Sequence, residues 1–138
     1  MRKVLLDTGP LVAFLNRRDR YHKWASAQWE RCAPPLLTCE AVLAEACFLL
    51  RNTGGGSRSV IELVKRGVVA VAFDLEAEAG PIARLMTRYA DVPMSLADAC
   101  LVRMTELQED SLILTMDQNF HVYRRHGRQT VHTRMPAD

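Results

Sequence analysis

Val4-Leu5-Leu6-Asp7-Thr8-Gly9-Pro10-Leu11-Val12 places a strand, an acid and a helix start side by side. Lys3–Leu6 reads as a short buried strand. Leu11, Val12, Phe14 and Leu15 then carry helical spacing, with Thr8 as the expected cap and Pro10 in the first turn. Asp7 therefore stands at the carboxyl end of a strand. In open parallel sheets, sites form at that edge.

The same alternation continues outward. His22–Arg31 has helical spacing, Pro34-Pro35 breaks the chain, and Leu36–Thr38 is a second short strand. Glu40–Leu50 places Val42, Leu43, Ala46, Leu49 and Leu50 on one broad face. Gly54-Gly55-Gly56 marks a joint, followed by a helix over Arg58–Lys65. Val68–Phe73 is the strand richest in β-branched residues. Leu75–Tyr89 is helical in pattern, with Gly80-Pro81 kinking or restarting it. Ser95–Glu109 is a helix, Ser111–Met116 a strand, and a short helix follows Asn119. Thr130–Thr133 is the expected last strand. Apolar strands alternating with helices predict an α/β fold with a parallel sheet covered on both faces.

The 138 residues suit one domain, residues 1–138, with a core of useful size. Eighteen Lys and Arg against 16 Asp and Glu leave a net charge of only +2, so the distribution of charge matters more than its sum. The short run before Asp7 leaves no room for a signal-peptide apolar region, and nothing approaches the roughly 20 apolar residues of a membrane span. Cys32, Cys39, Cys47 and Cys100 form no CxxC pair and no zinc spacing with His. A reduced, cytoplasmic setting is expected.

Two acids fall at strand ends, Asp7 and Asp117. Asp98 lies in the first turn of the Ser95–Glu109 helix, and Glu45 lies mid-helix among Val42, Ala44, Ala46 and Leu49 with no Lys or Arg one turn away. Each acid has a plain structural role open to it. Asp7 competes with Thr8 to cap a helix, Ser95-Leu96-Ala97-Asp98 fits a capping box, and Asp117 fits an N-cap. Glu45 resists that reading, since an unpaired charge in apolar surroundings costs several kcal/mol or raises its pKa. Together, four carboxylates on one rim repel each other. A hard divalent cation relieves that repulsion, and an all-oxygen donor set selects Mg²⁺ or Mn²⁺ over Zn²⁺.

The stretches Val4–Ala13, Asp19–Ala25, Glu40–Ala46, Tyr89–Ala99 and Leu114–Phe120 resemble, in this order, the segments that define PIN domains. The resemblance covers essentially the whole chain. It implies a three-layer α/β/α sandwich with a central, mostly parallel sheet, and Mg²⁺- or Mn²⁺-dependent cleavage of RNA. Many stand-alone members of this length are VapC-like toxins of toxin–antitoxin pairs, which form homodimers and are inhibited by an antitoxin that fills the acidic groove. Carried onto this chain, the resemblance makes Asp7, Glu45, Asp98 and Asp117 the acidic quartet. Asp7 and Asp98 would contact metal directly, with Glu45 and Asp117 partly through water. Thr8 and Thr115 would orient carboxylates or water. Asp91 matches a familiar position too, but Asp91-Val92-Pro93 reads as turn chemistry.

The reaction expected of such a site is in-line attack of water on an RNA phosphodiester, leaving a 5′-phosphate and a 3′-hydroxyl. Arg17, Arg18, Arg20 and Lys23 around the first loop, with Arg124 and Arg125 in a C-terminal stretch free of acids from His121 to Arg134, are candidates for holding RNA phosphates. Trp24, Trp29 and Tyr89 sit at core spacing and are expected to pack. A housekeeping RNA-processing nuclease and a binding module that does not cut remain alternatives. A phosphorelay receiver would use Phe73-Asp74 but lacks the Lys it needs at the end of a late strand.

Overall fold

The computed structural model describes residues 2–137. Its main sheet has five parallel strands in the order β3-β2-β1-β4-β7, formed by Val69–Val71, Leu36–Thr38, Lys3–Leu6, Ser111–Leu114 and Thr133–Arg134. β1 and β4 lie at its centre, in register from Lys3↔Ser111 to Leu6↔Leu114. Leu5, Leu6, Ile113 and Leu114 are fully buried, which is why these strands read as unbroken apolar runs. The chain leaves β1 toward β2 on one side, while β4 enters on the other. The boundary between β1 and β4 is therefore the topological switch point, where such sheets open a crevice.

Among the described residues six α-helices cover the sheet: α1 (Thr8–Leu15), α2 (His22–Arg31), α3 (Glu40–Leu49), α4 (Gly56–Lys65), α5 (Ala79–Arg88) and α6 (Leu96–Leu107). α1 packs on α2 and α3, and α3 on α4. α5 packs on α6, which lies against β1 and β4. This is the three-layer α/β/α arrangement expected from the alternation of strands and helices. Phe14 stacks on Trp29 with ring centroids 4.2 Å apart, and Tyr89 and Trp29 are buried, so these aromatics pack as their spacing predicts.

Several boundaries differ from the sequence reading. The cap of α1 is Asp7 rather than Thr8: its carboxylate accepts the Thr8 N–H at 2.8 Å. Gly80-Pro81 restarts rather than kinks a helix, since α5 begins at Ala79 and Pro81 falls in its first turn. Thr130–Thr133 is not one strand. Arg124–Arg125 (β5) and Gln129–Thr130 (β6) form a separate antiparallel hairpin, and Thr133–Arg134 then joins β4. The hairpin turns through His126 and Gly127, both at positive φ, a conformation Gly adopts at no steric cost. All four cysteines are free thiols. Among the described residues, no helix is long and apolar enough to cross a membrane.

Candidate metal centre

The β1–β4 register builds the floor of the site. The Asp7 N–H donates to the Leu114 carbonyl at 3.0 Å, which sets Asp7 beside Thr115 just beyond the paired strands. The Thr115 hydroxyl donates to Asp7 Oδ2 at 2.6 Å and accepts the Asp117 N–H at 3.0 Å. One buried hydroxyl thus ties two of the acids to the strand ends. Asp117 Oδ1 accepts from the Asn119 N–H at 2.9 Å and caps the short 3₁₀ helix Gln118–His121. Ser95 caps α6 by accepting the Asp98 N–H at 3.0 Å, which fixes Asp98 in the first turn. The Asp98 carboxylate accepts a 2.7 Å hydrogen bond from the Tyr123 hydroxyl.

These elements bring Asp7, Glu45, Asp98 and Asp117 to one cavity of about 460 Å³, shared with Thr8, Ser95 and Asn119. The four acids come from four separate segments of the chain. Asp7 and Asp98 are buried. None of the four has an ion-pair partner among the described residues. Burial raises the Asp7 pKa to about 6, and the charges of Asp98 and Asp117 push the same way against the hydrogen bonds from Thr115 and Thr8. Burial also raises Asp98, partly offset by Tyr123, with Asp117 adding to the rise. Glu45 is raised by desolvation and then by Asp98 and Asp117. The carboxylates therefore share a repulsion that no cationic side chain among the described residues neutralises.

The structure places the remaining candidates as follows. Glu45 is exposed at the rim rather than immersed in apolar surroundings, because it lies on the flank of α3 beside the face that Val42, Leu43 and Ala46 turn to the core. Thr8 steadies Asp7 through its backbone amide, while its buried hydroxyl has no hydrogen-bond partner among the described residues. Arg125 is not available to RNA. It is buried and donates to the Thr105 carbonyl, the Gln129 amide oxygen and Glu109. Arg124 likewise spends one nitrogen on the carbonyls of His121, Val122 and Tyr123. Arg17, Arg18, Arg20 and Lys23 are exposed. Asp91 is exposed in a turn, away from the cavity lining.

Tyr123 was not singled out by the sequence. It is fully buried between Tyr89 and Phe120, with edge-to-face contacts at 5.1 and 5.3 Å. A buried tyrosine needs a partner for its hydroxyl, but no local spacing names Asp98, 25 positions away, as that partner.

Residues 4–125 match the family model of the PIN domain. The chain belongs to the PIN-domain family. A PIN relative, Ribonuclease VapC26 of Mycobacterium tuberculosis, is 26% identical over 117 residues, covering 83% of this chain and 87% of the relative. The PIN fold here is also similar to the crystal structure of VapC20 from the same organism, described as a toxin that cleaves the sarcin–ricin loop. The TM-score is 0.73 at 22% identity, over 87% of this chain and 94% of that one.

The donor set fits a hard divalent cation. It is all oxygen, it carries unneutralised charge, and an orphaned Thr8 hydroxyl lies in its wall. Among the described residues no three His, Cys, Asp or Glu side chains stand close enough together to hold one metal ion between them. Mg²⁺ does not need three, since it keeps several waters and takes one or two carboxylates.

Proposed function

We propose that this PIN protein is a metal-dependent endoribonuclease of the VapC kind, acting in the cytoplasm as the toxin of a toxin–antitoxin pair. The observation that carries the reading is the meeting of four unpaired carboxylates at the switch point of a parallel sheet. The similarity to a VapC ribonuclease supports RNA as the substrate.

Asp7 and Asp98 are the residues that would hold Mg²⁺ or Mn²⁺, with Glu45 and Asp117 completing the shell through water. A bound divalent cation supplies neutralising charge at the phosphodiester and lowers the pKa of an attacking water. The chain's own contribution is orientation. Thr115 fixes one oxygen of Asp7 and the Thr8 amide the other. Tyr123 fixes one oxygen of Asp98, which lines the cavity. Such fixed outer contacts set carboxylate geometry before substrate arrives. Burial and the neighbouring acids make Asp7 hold its proton more tightly than a free carboxylate, so Mg²⁺ must compete with that proton and cleavage at limiting Mg²⁺ should fall as pH drops through about 6. A homodimer, and an antitoxin presenting a basic side chain to the acidic cavity, fit the same reading.

The test is cleavage of end-labelled RNA by purified protein. Cleavage that stops in EDTA, returns with Mg²⁺ or Mn²⁺, and leaves 5′-phosphate ends is expected. Binding of RNA without cleavage in either metal would make the protein a binding module. Suppression of cleavage by the small protein of a neighbouring gene would support the toxin role.

A further inference from the structure

A second cleft, of about 500 Å³, lies where the end of α1 meets the loop between α3 and α4. Asn16, Arg17, Arg18, Asn52, Thr53 and Gly54 line it, and no acid does. Arg17 and Arg18 are exposed, and among the described residues neither guanidinium has an ion-pair partner. Three other arginines are committed to the fold. Arg51 donates to the Phe48 carbonyl and lies over its ring, Arg103 pairs with Glu78 and Glu106, and Arg125 is buried. The loop that carries the free pair is itself held in shape. Asn16 Oδ1 accepts the Arg18 N–H at 3.1 Å, and the nearest loop acid, Asp19, is turned to the Tyr21 N–H at 2.8 Å.

The two clefts are neighbours. α1 starts at Thr8 on the acidic cavity and ends at Leu15 on the basic cleft. At 1.5 Å per residue that separates them by roughly 10 Å. Along α3, Leu49 lines the first and Asn52, just past its end, lines the second. An acidic cavity repels a polyanion, and a net charge of +2 gives little general attraction. The affinity for RNA must then come from cations placed beside the acids, not among them.

We infer that the Arg17–Arg18 cleft is a subsite for a backbone phosphate of the RNA strand, a few nucleotides from the bond in the acidic cavity. The inference rests on the RNA reading above and names where the strand is held. The guanidinium forks suit phosphate oxygens, and Asn52 and Thr53 add neutral donors.

The experiment measures anisotropy of a fluorescein-labelled, single-stranded, mixed-sequence oligoribonucleotide in EDTA, so that binding is read without cleavage. The Arg17→Gln/Arg18→Gln variant should bind roughly tenfold more weakly. Its log–log salt slope should be shallower by about 0.7, the change expected for one single-stranded phosphate contact. Arg31→Gln/Lys65→Gln removes the same charge from exposed helix ends elsewhere and should stay within about twofold of wild type. Gly54 has open space where a Cβ would sit, so Gly54→Asp adds an anion to the cleft without a clash and should weaken binding too. Equal losses in the two double variants, an unchanged salt slope, or no RNA binding by wild type would overturn the subsite. A wild type that binds through the cleft yet cuts nothing with Mg²⁺ or Mn²⁺ supports the subsite and refutes the nuclease. A wild type that cuts, with binding unchanged in Arg17→Gln/Arg18→Gln, does the reverse.

Discussion

Replacing Asp7 by Asn should stabilise the metal-free protein at neutral pH while destroying its site. Burial and the neighbouring acids lift the Asp7 pKa from 3.8 to about 6. The folded state therefore binds this proton more tightly than the unfolded state. The stability it confers is complete below pH 3.8 and is lost as pH rises through about 6. By pH 7.5 the ionised carboxylate weakens the fold by roughly 3 kcal/mol relative to its protonated form. Asn has the same shape and no charge. Its oxygen can still accept the Thr8 N–H, but its amide faces the Thr115 hydroxyl, which must find another acceptor at a cost of about 1 kcal/mol. The net gain is about 2 kcal/mol, or a rise of roughly 6 °C in Tm for a chain of this size. Thermal unfolding in EDTA at pH 4 and pH 7.5 is the assay. The variant should exceed wild type at pH 7.5, and that advantage should vanish at pH 4. Added Mg²⁺ should raise the wild type and not the variant. A variant less stable than wild type at pH 7.5, or a gap independent of pH, would refute the idea that the four acids strain the empty fold.

Tyr123→Phe keeps the aromatic packing and removes the donor to Asp98. It should cost about 1–2 kcal/mol in urea unfolding, and slow cleavage by roughly 10- to 100-fold through a loosened Asp98. Arg125→Met should lower stability by about 2 kcal/mol through the lost bonds to the Thr105 carbonyl and Gln129, yet leave RNA affinity near that of wild type. A folded Arg125→Met protein with tenfold weaker RNA binding would return Arg125 to the RNA surface.

The sheet and most helices could be read from the chain because burial on both faces leaves uninterrupted apolar strands. β1, α2 and β2 fall where their residues predict. Strand ends were less legible, because a strand extends only as far as its neighbour. Val68–Phe73 could all be strand, but β2 has three residues, so only Val69–Val71 pair. Ser111–Met116 is cut at Leu114 because β1 stops at Leu6, where Asp7 turns the chain into α1. The split of Thr130–Thr133 between two sheets is a choice of partner that no local pattern encodes.

That the four acids line one cavity was legible in part, since strand ends and a helix first turn direct Asp7, Asp117 and Asp98 to one rim. The exposure of Glu45 was not, because helical spacing does not say which flank of α3 meets solvent. Nor was the support of Asp98 by Tyr123, which rests on a contact 25 positions away. The arginines show the same limit. Arg17 and Arg125 look alike in sequence, and only the fold shows one free at a cleft and the other locked under Glu109.

The central claim is that the four acids form a catalytic metal site, and Asp98→Asn tests it most directly. Asn keeps the side-chain volume, and the Ser95 cap to the residue-98 N–H is untouched, so the fold should persist by circular dichroism. The measurement is cleavage of a mixed RNA pool in Mg²⁺ or Mn²⁺ by wild type and variant at equal folded concentration. The account predicts that cleavage by the variant falls by at least about a hundredfold. Cleavage by folded Asp98→Asn at the wild-type rate would contradict it.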